Sequence, residues 1–363
     1  MIFDKAEAEA LIHWYQDHKR DLPWRDTGDP YDVWLSEIML QQTRVEFVKE
    51  RFLAFKQAVP DIPSLAEIPD DQLMKLWEGM GYYSRARSLK KCARILCEQY
   101  GGRLPQDVKS LLALPGIGPY TAGAIASIAA NQPVCAVDGN VLRVLARRQG
   151  DRSDIRSAET RNRYSADIQC FYDENWASMK QEYPTLPSLL NQALMELGAL
   201  VCVPNGAPHC EECPWNGVCR ACLDHTVDEI PYRSPRKKRQ IVQRTILVIR
   251  DGERFLLHRR SDTGLLAGLY EFPGVDAEFT ESEALDTVRQ LGLEPLRIQK
   301  LPDSRHVFSH VEWHMQAYEI QTADMESFDR EDYQMLTRKE LQRFAVPSAF
   351  HAYKEYYSLN DQF

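Results

Sequence analysis

The sequence has no apolar run long enough to span a bilayer, and its first residues, with Asp4, Glu7 and Glu9, lack the basic-then-apolar pattern of an export signal. Neither membrane insertion nor secretion is expected, and the reading is a cytoplasmic protein. Positive charge is short: 44 lysines and arginines face 53 aspartates and glutamates, a formal net charge of −9. That shortage speaks against binding nucleic acid over the whole surface, because phosphate neutralisation supplies most non-specific affinity. Screening over about 8–10 Å still allows local basic patches. Basic residues gather at Arg85, Arg87, Lys90 and Lys91, at Arg143, Arg147 and Arg148, and from Arg236 to Arg239. Each patch can equally be a solvated helix face. Lysine is missing altogether between Lys109 and Lys180, so no lysine nucleophile can come from that stretch. Strand-like alternation is scarce before about Leu200, and the first half is expected to be all-α.

With 363 residues and 44% hydrophobic content the chain can bury substantial cores, and its length points to two domains. The stretch from Leu114 to Val141 organises the first. Gly116-Ile117-Gly118, with Pro119 where a helix starts, makes a tight hairpin whose backbone N–H groups suit an anion. The helix it launches, Tyr120 to Ala130, is rich in small residues, and about one turn beyond it Asp138 stands at the start of the next helix. Upstream, Pro30-Tyr31 opens the helix V-W-L-S-E-I-M-L-Q-Q-T, whose buried stripe is Trp34, Leu35, Ile38 and Met39. Glu37 lies at the edge of that stripe and reads either as an ordinary exposed helix glutamate or as a carboxyl whose pKa its apolar neighbours raise, as a general acid requires. The run G-M-G-Y-Y-S-R-A-R, Gly79 to Arg87, reads as a loop that can push an aromatic ring into a base stack, or as a helix cap with core tyrosines.

Nine cysteines in such a chain are not expected to form a disulfide framework. Cys92, Cys97, Cys135 and Cys170 read as core thiols in helical surroundings. The other five crowd into residues 202–222. Cys202, Cys210, Cys213 and Cys219 are spaced C-x7-C-x2-C-x5-C, with Cys222 following, a spacing that leaves tetrahedral zinc and an iron–sulfur cluster both open. After Asp224 the polar, proline-containing D-E-I-P-Y-R-S-P-R-K-K-R reads as a linker over 224–240. From Ile241 strand alternation sets in: V-Q-R-T-I-L-V-I-R, a D-G turn, then R-F-L-L-H-R-R.

The motifs L-P-W-R, P-Y-x-V-W-L-S-E, M-L-Q-Q-T, L-P-G-I-G-P-Y and V-D-G-N-V, followed by the cysteine loop, resemble in content and order the MutY-type adenine DNA glycosylases. The resemblance runs from about Leu22 to His310. It implies a multidomain protein: an all-α helix-hairpin-helix glycosylase domain over 1–223, with its iron–sulfur loop at 202–222, then an α+β Nudix-like domain over 241–363. It implies that Glu37 protonates adenine N7, and that Asp138 meets the charge growing on the sugar, oriented by Tyr120 and Asn140. Arg20, Trp24, Arg25 and Gln192 would surround the adenine, and Gln42, Thr43, Tyr82, Gly116 and Gly118 would hold and fill the duplex. A 4Fe-4S cluster is implied on Cys202, Cys210, Cys213 and Cys219, and a monovalent cation at the hairpin. The related endonuclease III-like lyases carry a lysine where Tyr120 stands, so base removal without lysine-based strand cleavage is expected.

The segment G-L-L-A-G-L-Y-E-F-P-G and the helix Glu283 to Leu291 resemble the Nudix hydrolase fold. Where its R-E-x-x-E-E-x-G stretch would fall, this chain has Leu285, Asp286, Arg289 and Gln290. Without those glutamates Mg²⁺ has no site there and no pyrophosphatase activity is expected. In MutY-type enzymes this domain reads 8-oxoguanine through a Phe-Ser-His turn, here Phe308, Ser309 and His310. The implied partner is double-stranded DNA containing adenine opposite 8-oxoguanine or guanine, bound by a monomer in a bacterial cytoplasm, on the nucleoid. Three rivals are an endonuclease III-like lyase, a catalytically silent iron–sulfur DNA-binding module, and a Nudix hydrolase with a helical appendage. They are opposed in turn by Tyr120, by the two retained carboxylates and by the missing glutamates.

Overall fold

A computed structural model describes residues 2–235 and 238–356. They divide into two compact units, Met1–Glu67 with Ser88–Pro235, and Ile68–Arg87 with Arg236–Phe363. Residues 68–87 fall within 1–223 by sequence, yet they group with the second unit. The helices in chain order are α1 (Lys5–His18), α2 (Pro30–Leu40), α3 (Val45–Ala58), α4 (Ile62–Glu67), α5 (Asp70–Leu76), α6 (Ser84–Tyr100), α7 (Val108–Leu112), α8 (Pro119–Ala124), α9 (Gly139–Gln149), α10 (Ala158–Met179), α11 (Leu186–Leu200) and α12 (Arg220–Leu223).

Local chemistry sets these boundaries. Asp4 and Glu7 form a capping box at the start of α1, and Asp29 caps α2 just before Pro30. Asp138 caps α9, which ends at Gly150 in the left-handed region, φ 68°. In the first unit α7, the Gly116–Gly118 turn and α8 form the expected hairpin. Gly116 has φ 80°, and a Cβ there would lie 2.7 Å from Ser88 Cβ, so both backbone and space demand glycine. The helix launched by the hairpin starts at Pro119 and changes to π-helical pitch over Ile125–Ala129, where a uniform helix from Tyr120 to Ala130 was expected. A Cβ on Gly123 would come 2.1 Å from the Cys135 carbonyl oxygen, so the returning chain crosses this helix at contact distance.

The core of the first unit forms around α11, whose Leu190, Leu194 and Leu197 share one cluster with Leu11, Ile12 and Tyr15 of α1, Val141 and Leu145 of α9, and Phe171 and Tyr172 of α10. Burying each such side chain stabilises by about 1.5–3 kcal/mol, so this shared core fixes α9 relative to α11, and the site below is built on both. Within 224–240, read as a linker, Ile230 lies in the same core and the Ile155 N–H donates to the Tyr232 carbonyl. The chain as far as Pro235 is therefore part of the first unit. Cys170, expected in a core, is exposed on the solvent face of α10 with its thiol 3.2 Å from Glu174. Cys135 lies outside a helix and is only half-buried.

The second unit is a mixed sheet of β1 (Gln240–Asp251), β2 (Arg254–Arg259), β3 (Tyr270–Glu271), β4 (Gly274–Val275), β5 (Pro295–Val307), β6 (Val311–Thr322) and β7 (Tyr333–Thr337). The order is β3-β2-β1-β6-β5, with β4 on β1 and β7 on β2. Only β1 and β6 run parallel among these pairs, from Gln240 opposite Val311 to Arg250 opposite Gln321. Alternation along β1 serves two faces. Ile246 and Val248 pack with Trp313, Phe350 and Tyr353, while Leu247 and Ile249 pack with Ala284 and Val288 of α13 (Glu281–Gln290). Among the described residues no helix is long and apolar enough to cross a membrane.

Candidate active site

Glu37 sits on α2 with every residue from Tyr31 to Met39 buried around it, and is itself 9% exposed. Tyr120, from the first turn of α8, donates its hydroxyl to Glu37 Oε2 at 2.6 Å. The same hydroxyl lies 3.2 Å from Met195 Sδ. Burial pushes the Glu37 carboxyl up to about 7; the Tyr120 bond opposes this, the charge of Asp138 adds to it and Arg25 reduces it. Asp138, at the N-cap of α9, accepts from the Val141 N–H at Oδ1 and from Asn140 Nδ2 at Oδ2, both at 2.8 Å. Burial raises its pKa as well, but its bonds to Val141 and Asn140 and the nearby Arg143 favour the ionised form. Asn140 is thus bonded to Asp138, whereas the Tyr120 hydroxyl reaches across to Glu37 on α2.

Both carboxyl groups open on a cleft of about 1500 Å³. Its lining brings Glu37, Tyr120, Asp138 and Asn140 together with Arg20, Trp24, Arg25, Gln192, Gln42, Thr43 and Gly118. Gln42 is exposed just beyond α2 in a left-handed conformation, φ 57°, that a non-glycine residue adopts at a cost of order 1–3 kcal/mol.

Sequence reasoning missed the groups that hold the pocket residues. Glu196 of α11, 1% exposed, accepts from Arg20 through N, Nε and Nη2 at 2.8, 2.9 and 2.8 Å, and from Arg25 through Nη1 and Nη2 at 3.0 and 2.6 Å. Burial alone would raise this carboxyl; the bonds from Arg20 and Arg25 outweigh it and hold it at about 2. Gln192, one turn earlier, is fixed at both ends of its amide: the Tyr15 hydroxyl donates to Oε1 at 3.1 Å, and Nε2 donates to Ser188 Oγ at 3.0 Å. An acidic residue among the apolar neighbours of N-Q-A-L-M-E-L-G is the same signal that marked Glu37, and it was available for Glu196.

Of the basic residues of α9, Arg143 and Arg147 serve the cysteine loop, while Arg148 pairs with Glu7 of α1. Arg143 is 3% exposed; it donates to Asn140 Oδ1 at 2.9 Å, the Gly198 carbonyl at 2.6 Å and the Cys202 carbonyl at 2.7 Å. Arg147 donates to Cys202 Sγ at 3.3 Å, and to the carbonyls of Val203 and Ile230 at 3.0 and 2.7 Å. Cys202, Cys210, Cys213, Cys219 and Cys222 all line one small cavity, walled by Val144, Leu197 and Trp215. Burial pushes the Cys213 thiol up to about 12, and burial with neighbouring sulfurs pushes Cys210 up to about 11. Five sulfurs lining one cavity are a donor set that fits a metal or an iron–sulfur cluster.

In the second unit, the Gly79–Arg87 run divides between its two readings. Tyr83 is a core residue at 5% exposure, whereas Tyr82 is 45% exposed and left-handed, φ 45°, after Gly79 and Gly81 at φ 86° and 66°. Arg85 lies beneath this loop: Nη2 donates to the Met80 and Gly81 carbonyls at 2.8 and 3.1 Å, and the guanidinium sits 5.2 Å from the Trp77 ring. Phe308, Ser309 and His310 form the turn between β5 and β6. The Phe308 ring packs edge-on against Trp313 at 4.8 Å, and its N–H donates to the Val311 carbonyl at 2.8 Å, which leaves Ser309 and His310 exposed at the tip. The Tyr82 and Ser309 hydroxyls are hydrogen-bonded to each other. Of the basic run 236–239, Arg236 and Lys237 lie outside the described residues; Arg239 Nε donates to the Phe308 carbonyl at 3.1 Å.

A buried carboxyl pushed up to about 7 and a second buried carboxyl opening on the same cleft are the kind of pair used to break glycosidic bonds. The hairpin that frames it carries the same meaning: residues 35–168 match the HhH-GPD superfamily of base excision DNA repair proteins, and residues 245–356 match the NUDIX domain. A thermostable thymine-DNA glycosylase of known structure shares the helical fold, with TM-score 0.53 and 27% identity over 61% of this chain and 96% of its own. The adenine DNA glycosylase of Mus musculus is 36% identical, covering 85% of this chain and 69% of its own length. That of Schizosaccharomyces pombe is 32% identical over 84% and 79%. The chain belongs to the adenine DNA glycosylase family.

Proposed function

We propose that the protein excises adenine paired with 8-oxoguanine or guanine in duplex DNA, hydrolysing the N-glycosidic bond and leaving an abasic site. The observation that carries this is Glu37: a buried carboxyl held near pKa 7 by its surroundings, with Asp138 in the same cleft. The target adenine leaves the stack at a cost of a few kcal/mol, and Gln42, Thr43 and Tyr82 occupy and hold the opened duplex. Against Trp24, Arg20, Arg25 and Gln192, the base presents N7 to Glu37, which protonates it so that it departs neutral. This step contributes on the order of 10²–10⁴ in rate. Asp138, whose ionised form the bonds from Asn140 and the Val141 N–H favour against burial, meets the positive charge that grows on the sugar. With Tyr120 in place of a lysine no Schiff base forms, and the strand stays intact.

Reading of the opposite base is assigned to the Phe308-Ser309-His310 turn, whose Ser309 hydroxyl is hydrogen-bonded to the exposed Tyr82. What supports a 4Fe-4S cluster on Cys202, Cys210, Cys213 and Cys219, with zinc as the alternative, is the spread of the sulfurs. Among the described residues no three of them lie within 4.8 Å of one another, whereas tetrahedral zinc with bonds of about 2.3 Å needs sulfurs about 3.8 Å apart. The cluster would join the loop 202–222 to α9, and through Arg143 to Asn140. A monovalent cation at the Gly116–Gly118 turn, and action as a monomer in the cytoplasm, complete the reading. Rates of adenine loss opposite 8-oxoguanine, guanine and thymine test the opposite-base assignment. The wild type should favour the first, and Ser309→Ala should narrow its advantage over guanine several-fold; equal rates opposite all three bases would contradict it.

A further inference from the structure

Five thiols converge where the proposed cluster takes four. Cys222 lines the same cavity as Cys202, Cys210, Cys213 and Cys219, and no step above uses it. Cys219 is the N-cap of α12 and Cys222 lies in its first turn, three residues on. That spacing puts their side chains on one face, with Cβ atoms about 5–6 Å apart. The buried residue of this turn is Ala221, and Cys222 is only half-buried.

We propose that Cys222 is a reserve ligand of the metal site, able to take the coordination position of Cys219 when that thiolate is lost; the proposal rests on the iron–sulfur reading above. In the exchange the Cys222 thiol gives up its proton as its sulfur bonds iron, and the Cys219 thiolate, released from iron, takes up a proton. No electron is transferred. Because both sulfurs stand on one helical turn, the exchange needs a side-chain rotation and a small shift of α12 rather than a new path for the loop.

The test uses the full-length protein purified without oxygen, as wild type, Cys219→Ser, Cys222→Ser and the double variant. Iron and sulfide per chain are measured, and the thiols open to iodoacetamide are mapped by mass spectrometry. The wild type and both single variants should each hold about four iron atoms, and the double variant should lose most of them. Cys222 should be alkylated in the wild type and protected in Cys219→Ser. A Cys219→Ser protein as iron-poor as the double variant, with Cys222 still open to alkylation, would overturn the proposal. So would loss of iron from Cys222→Ser alone, which would make Cys222 the resident ligand. Should the serine variant fail to fold by circular dichroism, Cys219→Ala removes the same sulfur and is read in the same way. A wild type without iron refutes the cluster reading instead, and needs no variant to reveal it.

Discussion

Replacing Glu37 by glutamine keeps the shape of the side chain and its acceptor for the Tyr120 hydroxyl, and removes the proton to be given to the base. Loss of a general acid costs 10²–10⁴ in rate, or about 3–5 kcal/mol of barrier. The wild-type rate of adenine release, measured in single turnover, should fall as pH rises through about 7, where Glu37 loses its proton. It should fall again at acid pH as Asp138 becomes protonated. Glu37→Gln should lose the alkaline limb, while its affinity for the duplex stays within about threefold. The same substitution has a stability signature. A carboxyl moved from 4.5 to about 7 has about 3 kcal/mol set against its charged form, at 1.36 kcal/mol per unit. The folded protein then binds more protons than the unfolded chain between those values, so wild-type stability falls as pH rises through that window and stays lower above it. Thermal unfolding should accordingly find the variant more stable at pH 8, by up to about 3 kcal/mol, and little changed near pH 4.5. A variant that works within tenfold of the wild type and keeps the alkaline limb would refute the role of Glu37.

Other expectations follow from the same geometry. Tyr120→Phe removes the hydrogen bond that holds Glu37 down, so the alkaline limb of the pH–rate profile should move to higher pH. Glu196→Gln leaves Arg20 and Arg25 without their buried counter-charge and should destabilise by about 3–5 kcal/mol, read as a lower unfolding midpoint at pH 7. Since Glu196 is depressed to about 2, its contribution is present above about 4.5 and lost as pH falls towards 2, so the gap between variant and wild type should close in acid. Gly123→Ala would put a methyl group 2.1 Å from the Cys135 carbonyl oxygen. The helix must then move away, which should lower the midpoint by an amount equivalent to about 1–3 kcal/mol or more.

What the sequence made legible was whatever local chemistry dictates. The hairpin glycines, Pro119, the Asp138 cap and the buried stripe around Glu37 each follow from rules a few residues long, and the structure assembles Glu37, Tyr120, Asp138 and Asn140 around one cleft. Partners far apart in the chain were not legible. Tyr15 and Gln192 are 177 positions apart, and Arg20 and Glu196 are 176 apart, so no spacing rule connects them. Arg143 and Arg147 looked like surface cations because periodicity gives a face but not what covers it. Here the covering groups are the carbonyls of the cysteine loop. The affinity of residues 68–87 for the second unit was hidden for the same reason, since it depends on contacts such as Tyr82 with Ser309, 227 positions away.

The most direct test is release of adenine itself. The protein is incubated with a duplex carrying adenine opposite 8-oxoguanine; free adenine is quantified, and strand breaks are counted before and after alkali. Adenine release with breaks appearing mainly after alkali is the result predicted by the proposal that Glu37 and Asp138 remove the base without a lysine nucleophile. Intact adenine after incubation with folded, iron-containing protein, or strand cleavage without alkali in step with base loss, would contradict the account.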